Sequence, residues 1–218
     1  MRIISGNYKG KKLFTPKDKL TRPLKDAVKE SIFNILEHSN LIKFKLYNSN
    51  ILDLFSGVGN FGLECISRNS KHVTFFENYS PALKILKKNI QNLNCSNKIK
   101  IIESDIFALD KLDLNIKHYE FIFLDGSHDY ETVYKELPMA MNYLSDGGII
   151  LLHDYFKDYK PLWPSSSNVI QGPFKAVTQL INEGLNLYVE PCGELPNHWK
   201  SKYKNEFNTS LAVGVLKK

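Results

Sequence analysis

The rhythm of hydrophobic and polar positions changes near residue 50. Before it, Arg2-Ile3-Ile4 and Lys12-Leu13-Phe14 are short apolar runs separated by the turn-prone pieces Ser5-Gly6-Asn7 and Lys9-Gly10. That pattern predicts a basic hairpin within the first 20 residues. Leu24, Val28, Ile32 and Ile35-Leu36 then recur at helical spacing, predicting a helix over 24–38 with Lys25, Lys29 and Glu30 off the apolar stripe. Beyond residue 50, strands are predicted at 51–55, 72–77, 99–102, 121–124 and 149–152, the fourth carrying no charge. Helices are predicted between them. One opens with Ser80 as N-cap and Pro81 in its first turn, and puts Leu83, Leu86, Ile90 and Leu93 on its apolar face. Another spans 130–144, disturbed at Pro138, and Asp146-Gly147-Gly148 reads as the turn after it. A Pro-, Ser- and Trp-rich loop covers 156–172, a helix at 173–183 ends at Gly184, and strands at 187–189 and 211–215 follow.

Strands alternating with helices imply an α/β fold with a mostly parallel sheet covered on both faces. Two late strands joined by a long non-helical loop suggest an antiparallel edge. The organisation is a basic N-terminal arm and helix at 1–48 followed by one larger domain at 49–218. In such a sheet the ligand sits beyond the carboxyl ends of the strands.

Charge sharpens this division. The 218 residues carry 29 Lys plus Arg against 23 Asp plus Glu, a net charge of +6. Residues 1–45 hold 11 basic and four acidic side chains, so this segment is +7 and the remainder −1. A basic arm on a neutral body points to a polyanion such as nucleic acid; a Lys-rich coding bias explains the excess of Lys over Arg but not the neutrality of the body. No apolar run is long enough to span a bilayer, so no membrane partner is expected. The polar start of the chain and three widely separated cysteines, Cys65, Cys95 and Cys192, fit a reduced cytoplasmic setting better than a secretory one.

The sharpest motif is Asp53-Leu54-Phe55-Ser56-Gly57-Val58-Gly59-Asn60-Phe61-Gly62, placed between a buried strand and a helix. Glycines there let backbone approach a ligand closely. Asp53, Phe55, Gly57 and Gly59 are the candidate cofactor-binding residues of this loop. Glu77, at the end of the next strand, is positioned to accept from a ribose diol, and Asp105, after the third, to meet an adenine amino group. An acid inside the first strand would repel a pyrophosphate but welcome a sulfonium and an amino group, which disfavours a nicotinamide dinucleotide.

This order of motifs resembles the class I S-adenosylmethionine-dependent methyltransferases. The resemblance implies a Rossmann-like sheet of seven strands in the order 3-2-1-4-5-7-6 with the last antiparallel, and S-adenosylmethionine as cofactor. Residues 1 to about 124 are similar to a narrower group, the bacterial 16S ribosomal RNA guanine-N2 methyltransferases. The similarity rests on Arg2-Ile3-Ile4-Ser5-Gly6, Lys9-Gly10-Lys11-Lys12-Leu13, Thr21-Arg22-Pro23, Lys29-Glu30-Ser31-Ile32-Phe33-Asn34-Ile35-Leu36, Asp53-Leu54-Phe55-Ser56-Gly57 and Leu63-Glu64-Cys65-Ile66-Ser67-Arg68. The chain's three arginines, Arg2, Arg22 and Arg68, all fall on that pattern. The resemblance implies ribosomal RNA or the small ribosomal subunit as partner, touched by Arg2, Lys9, Lys11, Lys12 and Arg22.

At the end of the fourth strand the chain departs from that group. Asp-Pro-Pro-Tyr is replaced by Asp125-Gly126-Ser127-His128-Asp129-Tyr130. That stretch, with Gly147-Gly148-Ile149-Ile150, His153-Asp154-Tyr155 and Gly172-Pro173-Phe174, resembles methyltransferases with small-molecule acceptors, some of which bind a divalent metal. Asp125, His128 and Tyr130 are the candidate catalytic residues. Asp125 and Asp154, on adjacent strands, could share an oxygen-seeking cation such as magnesium, with His128 or His153 nearby. Alternatively, His128 acts as a general base, or His153-Asp154 only pins the strand end. Trp163, Trp199 and Tyr203 lie in loops near the same rim. Three readings follow: an RNA methyltransferase, a small-molecule O-methyltransferase with or without metal, and a non-catalytic RNA-binding module.

Overall fold

The computed structural model describes residues 1–16, 24–38, 42, 44–107, 119–155, 172–191 and 213–217. The side chains of 190–191 and 213–217 are outside that description. Thr21-Arg22-Pro23, Cys192, Trp163, Trp199 and Tyr203 lie outside it as well.

Five parallel strands form the body of the sheet: β1 (Asn50–Leu54), β2 (His72–Phe76), β3 (Ile99–Ile102), β4 (Tyr119–Leu124) and β5 (Leu144–Leu152). Two more, β6 (Leu187–Pro191) and β7 (Val213–Lys217), complete the order β3-β2-β1-β4-β5-β7-β6. β7 is antiparallel to both neighbours, as the resemblance implied. The strand order reverses between β1 and β4, so the loops after these strands open the crevice in which α/β sheets bind ligands.

The central strands β1, β2 and β4 are buried over most of their length because both faces are covered. On one face, α1 (Asp26–His38), α2 (Asn60–Ser67) and α3 (Ser80–Leu93) pack with Ile51, Val73, Phe75, Phe121 and Phe123. Phe61 of α2 stacks on Phe33 of α1 and Phe123 of β4, with ring centroids 5.1 and 4.0 Å apart. On the other face, α4 (Tyr130–Tyr143) and α5 (Gly172–Asn182) pack with Leu52, Leu54, Ile122, Leu124 and Ile150.

Several local expectations are corrected. Lys29 is not on a polar face: it is 0% exposed, and α1 buries Lys29, Ile32, Phe33 and Leu36. Tyr79, not Ser80, is the N-cap of α3, with Ser80 already helical. The glycine pair at 147–148 does not precede β5 but lies inside it, where the register against β4 shifts between Tyr119 and Phe121. β4 itself begins two residues earlier than predicted and includes a charge. Glu120 Oε2 accepts from the Asn50 N–H at 2.6 Å.

The first 16 residues form the expected hairpin, closed by one antiparallel bridge between Arg2 and Lys12 around a 3-10 turn at Gly6–Tyr8. It is bound into the body. Ile3 and Leu13 belong to the same apolar cluster as Ile51 and Phe61. Glu64 of α2, 0% exposed, accepts from the Ile4 and Ser5 N–H groups at 2.8 and 2.9 Å and from Arg68 Nε at 3.0 Å. Lys29 Nζ lies 3.4 Å from Glu64 and donates to the Arg2 carbonyl and to Asn60 Oδ1 at 2.6 and 2.7 Å. Buried Asn89 of α3 bonds the Phe14 backbone and the Val58 carbonyl, tying the second hairpin arm to the glycine loop. Arg68 contributes to this network instead of facing a partner: it also pairs with Glu37 and lies over the Phe33 ring.

Candidate active site

At the carboxyl ends of β1, β2, β3 and β4 a cavity of about 680 Å³ opens, within the range of small-molecule sites. It is lined by Asp53, Phe55, Gly57, Glu77, Asp105, Asp125 and His128, so seven of the residues predicted for cofactor or catalysis converge there.

The glycine loop is shaped by backbone no ordinary residue adopts cheaply. Phe55 itself stands at φ +58°, a left-handed conformation uncommon for an aromatic residue. Gly59 stands at φ +78°, and a Cβ on it would come within 2.4 Å of Leu86 Cδ1. Gly59 faces this packing while its neighbours Val58 and Asn60 line the cavity. Asp53 is 2% exposed and accepts from the Gly62 N–H at 2.9 Å, so it fastens the loop to the start of α2. Burial pushes the Asp53 carboxyl up to about 8; the Gly62 bond opposes this and the charges of Asp125 and Glu77 add to it. Glu77 Oε2 accepts from Gly57 N–H at 2.6 Å, while Oε1 accepts from the Asn78 and Tyr79 N–H groups. Asp105 is exposed at the rim and accepts from Phe107 N–H at 3.0 Å.

The other half of the cavity follows β4. Gly126 is held against Phe55, whose ring a Cβ would approach to 2.5 Å. Asp129 is the N-cap of α4, accepting from Thr132 N–H at 2.9 Å and from the Ser127 hydroxyl. The Ser127 and Thr132 bonds hold its carboxyl down at about 2. His128 Nε2 lies 3.0 Å from Asp154 Oδ2, and His153 Nδ1 lies 3.2 Å from Asp125 Oδ1 and 3.5 Å from Asp154 Oδ1. Burial pushes the His153 imidazole down, but the two carboxylates outweigh it and bring it up to about 10. Neither carboxylate lies along a good hydrogen-bond direction from that nitrogen, which is a buried polar atom without a hydrogen bond among the described residues.

For a cation the structure keeps Asp125 of the expected carboxylate pair and groups it with the two nearby histidines, leaving out Asp154. One ligand atom each of Asp125, His128 and His153 fall within 4.8 Å of one another, whereas Asp154 faces the two imidazoles. The His153 nitrogen has no hydrogen bond among the described residues, and serving as a ligand would require it to give up the proton that Asp125 and Asp154 favour. Two imidazoles and one carboxylate suit a transition metal better than magnesium, which prefers oxygen. Tyr130 is also placed differently: it is not among the lining residues and stacks on Tyr134 with centroids 5.6 Å apart, because α4 turns its ring toward the second core.

Sequence reasoning missed Glu136. It is 0% exposed, lines the cavity, and neither oxygen has a hydrogen bond among the described residues. The available signal was its spacing of one helical turn from Thr132, which lines the same wall.

The family described as Conserved hypothetical protein 95 matches residues 1–171, well over half the chain and past the point where the acceptor motif departs. The chain belongs to this family. It is an S-adenosylmethionine-dependent methyltransferase. Ribosomal RNA small subunit methyltransferase D of Haemophilus influenzae is 36% identical over 153 residues, 69% of this chain and 76% of that one. The protein of the same name from Buchnera aphidicola subsp. Acyrthosiphon pisum is 36% identical over 140 residues, 64% and 69% of the two chains. The solved structure "Putative methyltransferase yhhF from Escherichia coli" shares the fold with a TM-score of 0.65 at 20% identity, covering 99% of this methyltransferase and 96% of that chain. Among the described residues no helix is long and apolar enough to cross a membrane.

Proposed function

We propose that this methyltransferase acts on ribosomal RNA in the cytoplasm, with the hairpin as its docking element. The observation that carries the reading is the placement of Lys9, Lys11 and Lys12. All three are exposed on a hairpin that α2 locks to the cofactor loop, with Arg2, its side chain 67% exposed, beside them. Lys88 of α3 extends the basic surface, lying over the Phe14 ring at 3.8 Å. Cations fixed relative to the reaction centre give a phosphate backbone both affinity and register. The relatives named ribosomal RNA small subunit methyltransferases support the same acceptor class.

S-adenosylmethionine supplies an electrophilic methyl group on a sulfonium. Glu77 suits the ribose diol, Asp105 the adenine amino group, and the Asp53-to-Gly59 loop the amino-acid end. Asp125 and His128 face the space left for the acceptor, where either can take up the proton that the acceptor loses. Positioning is the protein's main contribution to such an in-line displacement.

The Asp125, His128 and His153 group supports a second reading, metal-assisted methylation of a small-molecule hydroxyl. A cation held there would lower the pKa of a bound hydroxyl. The two are separated by incubating labelled S-adenosylmethionine with small-subunit particles, free ribosomal RNA and a metabolite pool, with and without EDTA. Label in RNA that survives EDTA supports the first reading. Label only in small molecules, lost in EDTA, refutes it and supports the second.

A further inference from the structure

Glu136 has no role in the arrangement above, and its situation is unusual. A carboxyl removed from water without a hydrogen bond costs free energy, and buried polar groups are partnered in the large majority of structures. Glu136 is completely buried, has neither oxygen bonded among the described residues, and opens on the cavity. It shares that wall with Thr132, one turn earlier on α4, and with Asp105 and Phe107 beyond β3. Among the described residues the charges that act on it are Asp105, from the β3 end, and Asp129, at the start of its own helix.

We propose that Glu136 is a second adenine-reading residue of this methyltransferase, accepting from the exocyclic amine and donating to the adjacent ring nitrogen. This rests on the placement of the adenine at Asp105. The amine carries two hydrogens, so Asp105 and Glu136 can each accept one. The ring nitrogen beside the amine needs a donor, which an ionised carboxylate lacks and a carboxylic acid has. Burial, reinforced by the charges of Asp129 and Asp105, pushes the Glu136 carboxyl up to about 8, so it carries its proton at neutral pH. A protonated carboxyl presents the same donor and acceptor pair as the glutamine amide that reads adenine elsewhere. The unsatisfied group is thus explained as one that finds its partners on the ligand.

The test is calorimetric binding of S-adenosylhomocysteine and of its hypoxanthine analogue to wild type, Glu136→Gln, Glu136→Met and Asp105→Ala, with thermal melts of each unliganded protein. Glu136→Gln keeps the pattern and is expected to bind S-adenosylhomocysteine within about twofold of wild type, while Glu136→Met loses roughly tenfold. Glu136→Met is also expected to discriminate less between the two ligands and to melt no lower than wild type, because it removes an unpartnered buried carboxyl. A purely structural role predicts the opposite melt. The proposal is overturned if Glu136→Met binds as tightly as wild type while Asp105→Ala is weakened, or if Glu136→Gln is as weak as Glu136→Met. Should Asp105→Ala also bind normally, the adenine placement itself fails, and the role of Glu136 with it.

Discussion

Replacing Lys29 by Met tests whether the buried network under the hairpin holds the N-terminal segment in place. Met keeps the length and apolar stem of the side chain and removes its charge. Lys29 Nζ makes two hydrogen bonds, to Arg2 O and Asn60 Oδ1, and lies 3.4 Å from Glu64; both Lys29 and Glu64 are 0% exposed. Removing one partner of a buried ion pair costs about 3–5 kcal/mol, because the other charge is left in a poor environment. Glu64 keeps the Ile4 and Ser5 N–H groups and Arg68, so the lower end, about 3 kcal/mol, is expected. For a chain of this size that is a fall in Tm of roughly 6–12 °C. Urea denaturation gives the free energy, and amide hydrogen exchange at Ile4 and Ser5 locates the loss. A destabilisation below about 1 kcal/mol, or exchange at these amides unchanged beyond the global effect, would refute the reasoning.

Three further outcomes are expected. Asp53 has a folded-state value raised from 3.8 to about 8, so its contribution to stability is complete below pH 3.8 and is lost as pH rises towards and through 8. The Tm of Asp53→Asn relative to wild type therefore rises between pH 5 and 8; a constant difference in melts across that window would contradict the assignment. Gly126→Ala pushes against the Phe55 ring at a separation of 2.5 Å and is expected to weaken S-adenosylhomocysteine binding at least as much as it lowers Tm, as read by calorimetry. Replacing Lys9, Lys11 and Lys12 together by Ala lowers affinity for ribosomal RNA and reduces the slope of log affinity against log salt by about 2–3, while cofactor binding stays unchanged. An unaltered slope in filter-binding titrations would remove the hairpin from the RNA interface.

The legibility of this chain followed polarity. The apolar face of α3, at Leu83, Leu86, Ile90 and Leu93, is buried as its spacing predicts, and Asp53, Glu77 and Asp105 meet at one cavity because each sits at a strand end. Polarity misled at the buried Lys29. Lys29 reads as a surface residue because the partners that make its burial tolerable, Glu64, Asn60 and the Arg2 carbonyl, lie 27 to 35 positions away. Glu136 was missed for a related reason: its spacing from Thr132 puts it on the same wall of the cavity but does not mark it as buried or unpartnered. The cation group was half legible. The two aspartates end adjacent strands, but which side chains turn toward one another depends on local backbone, including Asp154 at φ +56°. The same limit hid the placement of Tyr130, since the turn of a helix about its axis decides which side faces the cavity.

The short helix α2 bears on how such enzymes can be recombined. Its first turn receives the glycine loop through Gly62 and Asp53, and further along it grips the hairpin through Glu64 and Ser67. A crossover between hairpin and α2 would sever the Glu64 and Ser67 contacts, so the hairpin and the cofactor half are inherited as a block. A crossover after β4 falls outside that block and exchanges the loops that face the acceptor. The departure from Asp-Pro-Pro-Tyr lies at that boundary, at Asp125, inside the stretch matched by the family and outside the seam that α2 holds closed.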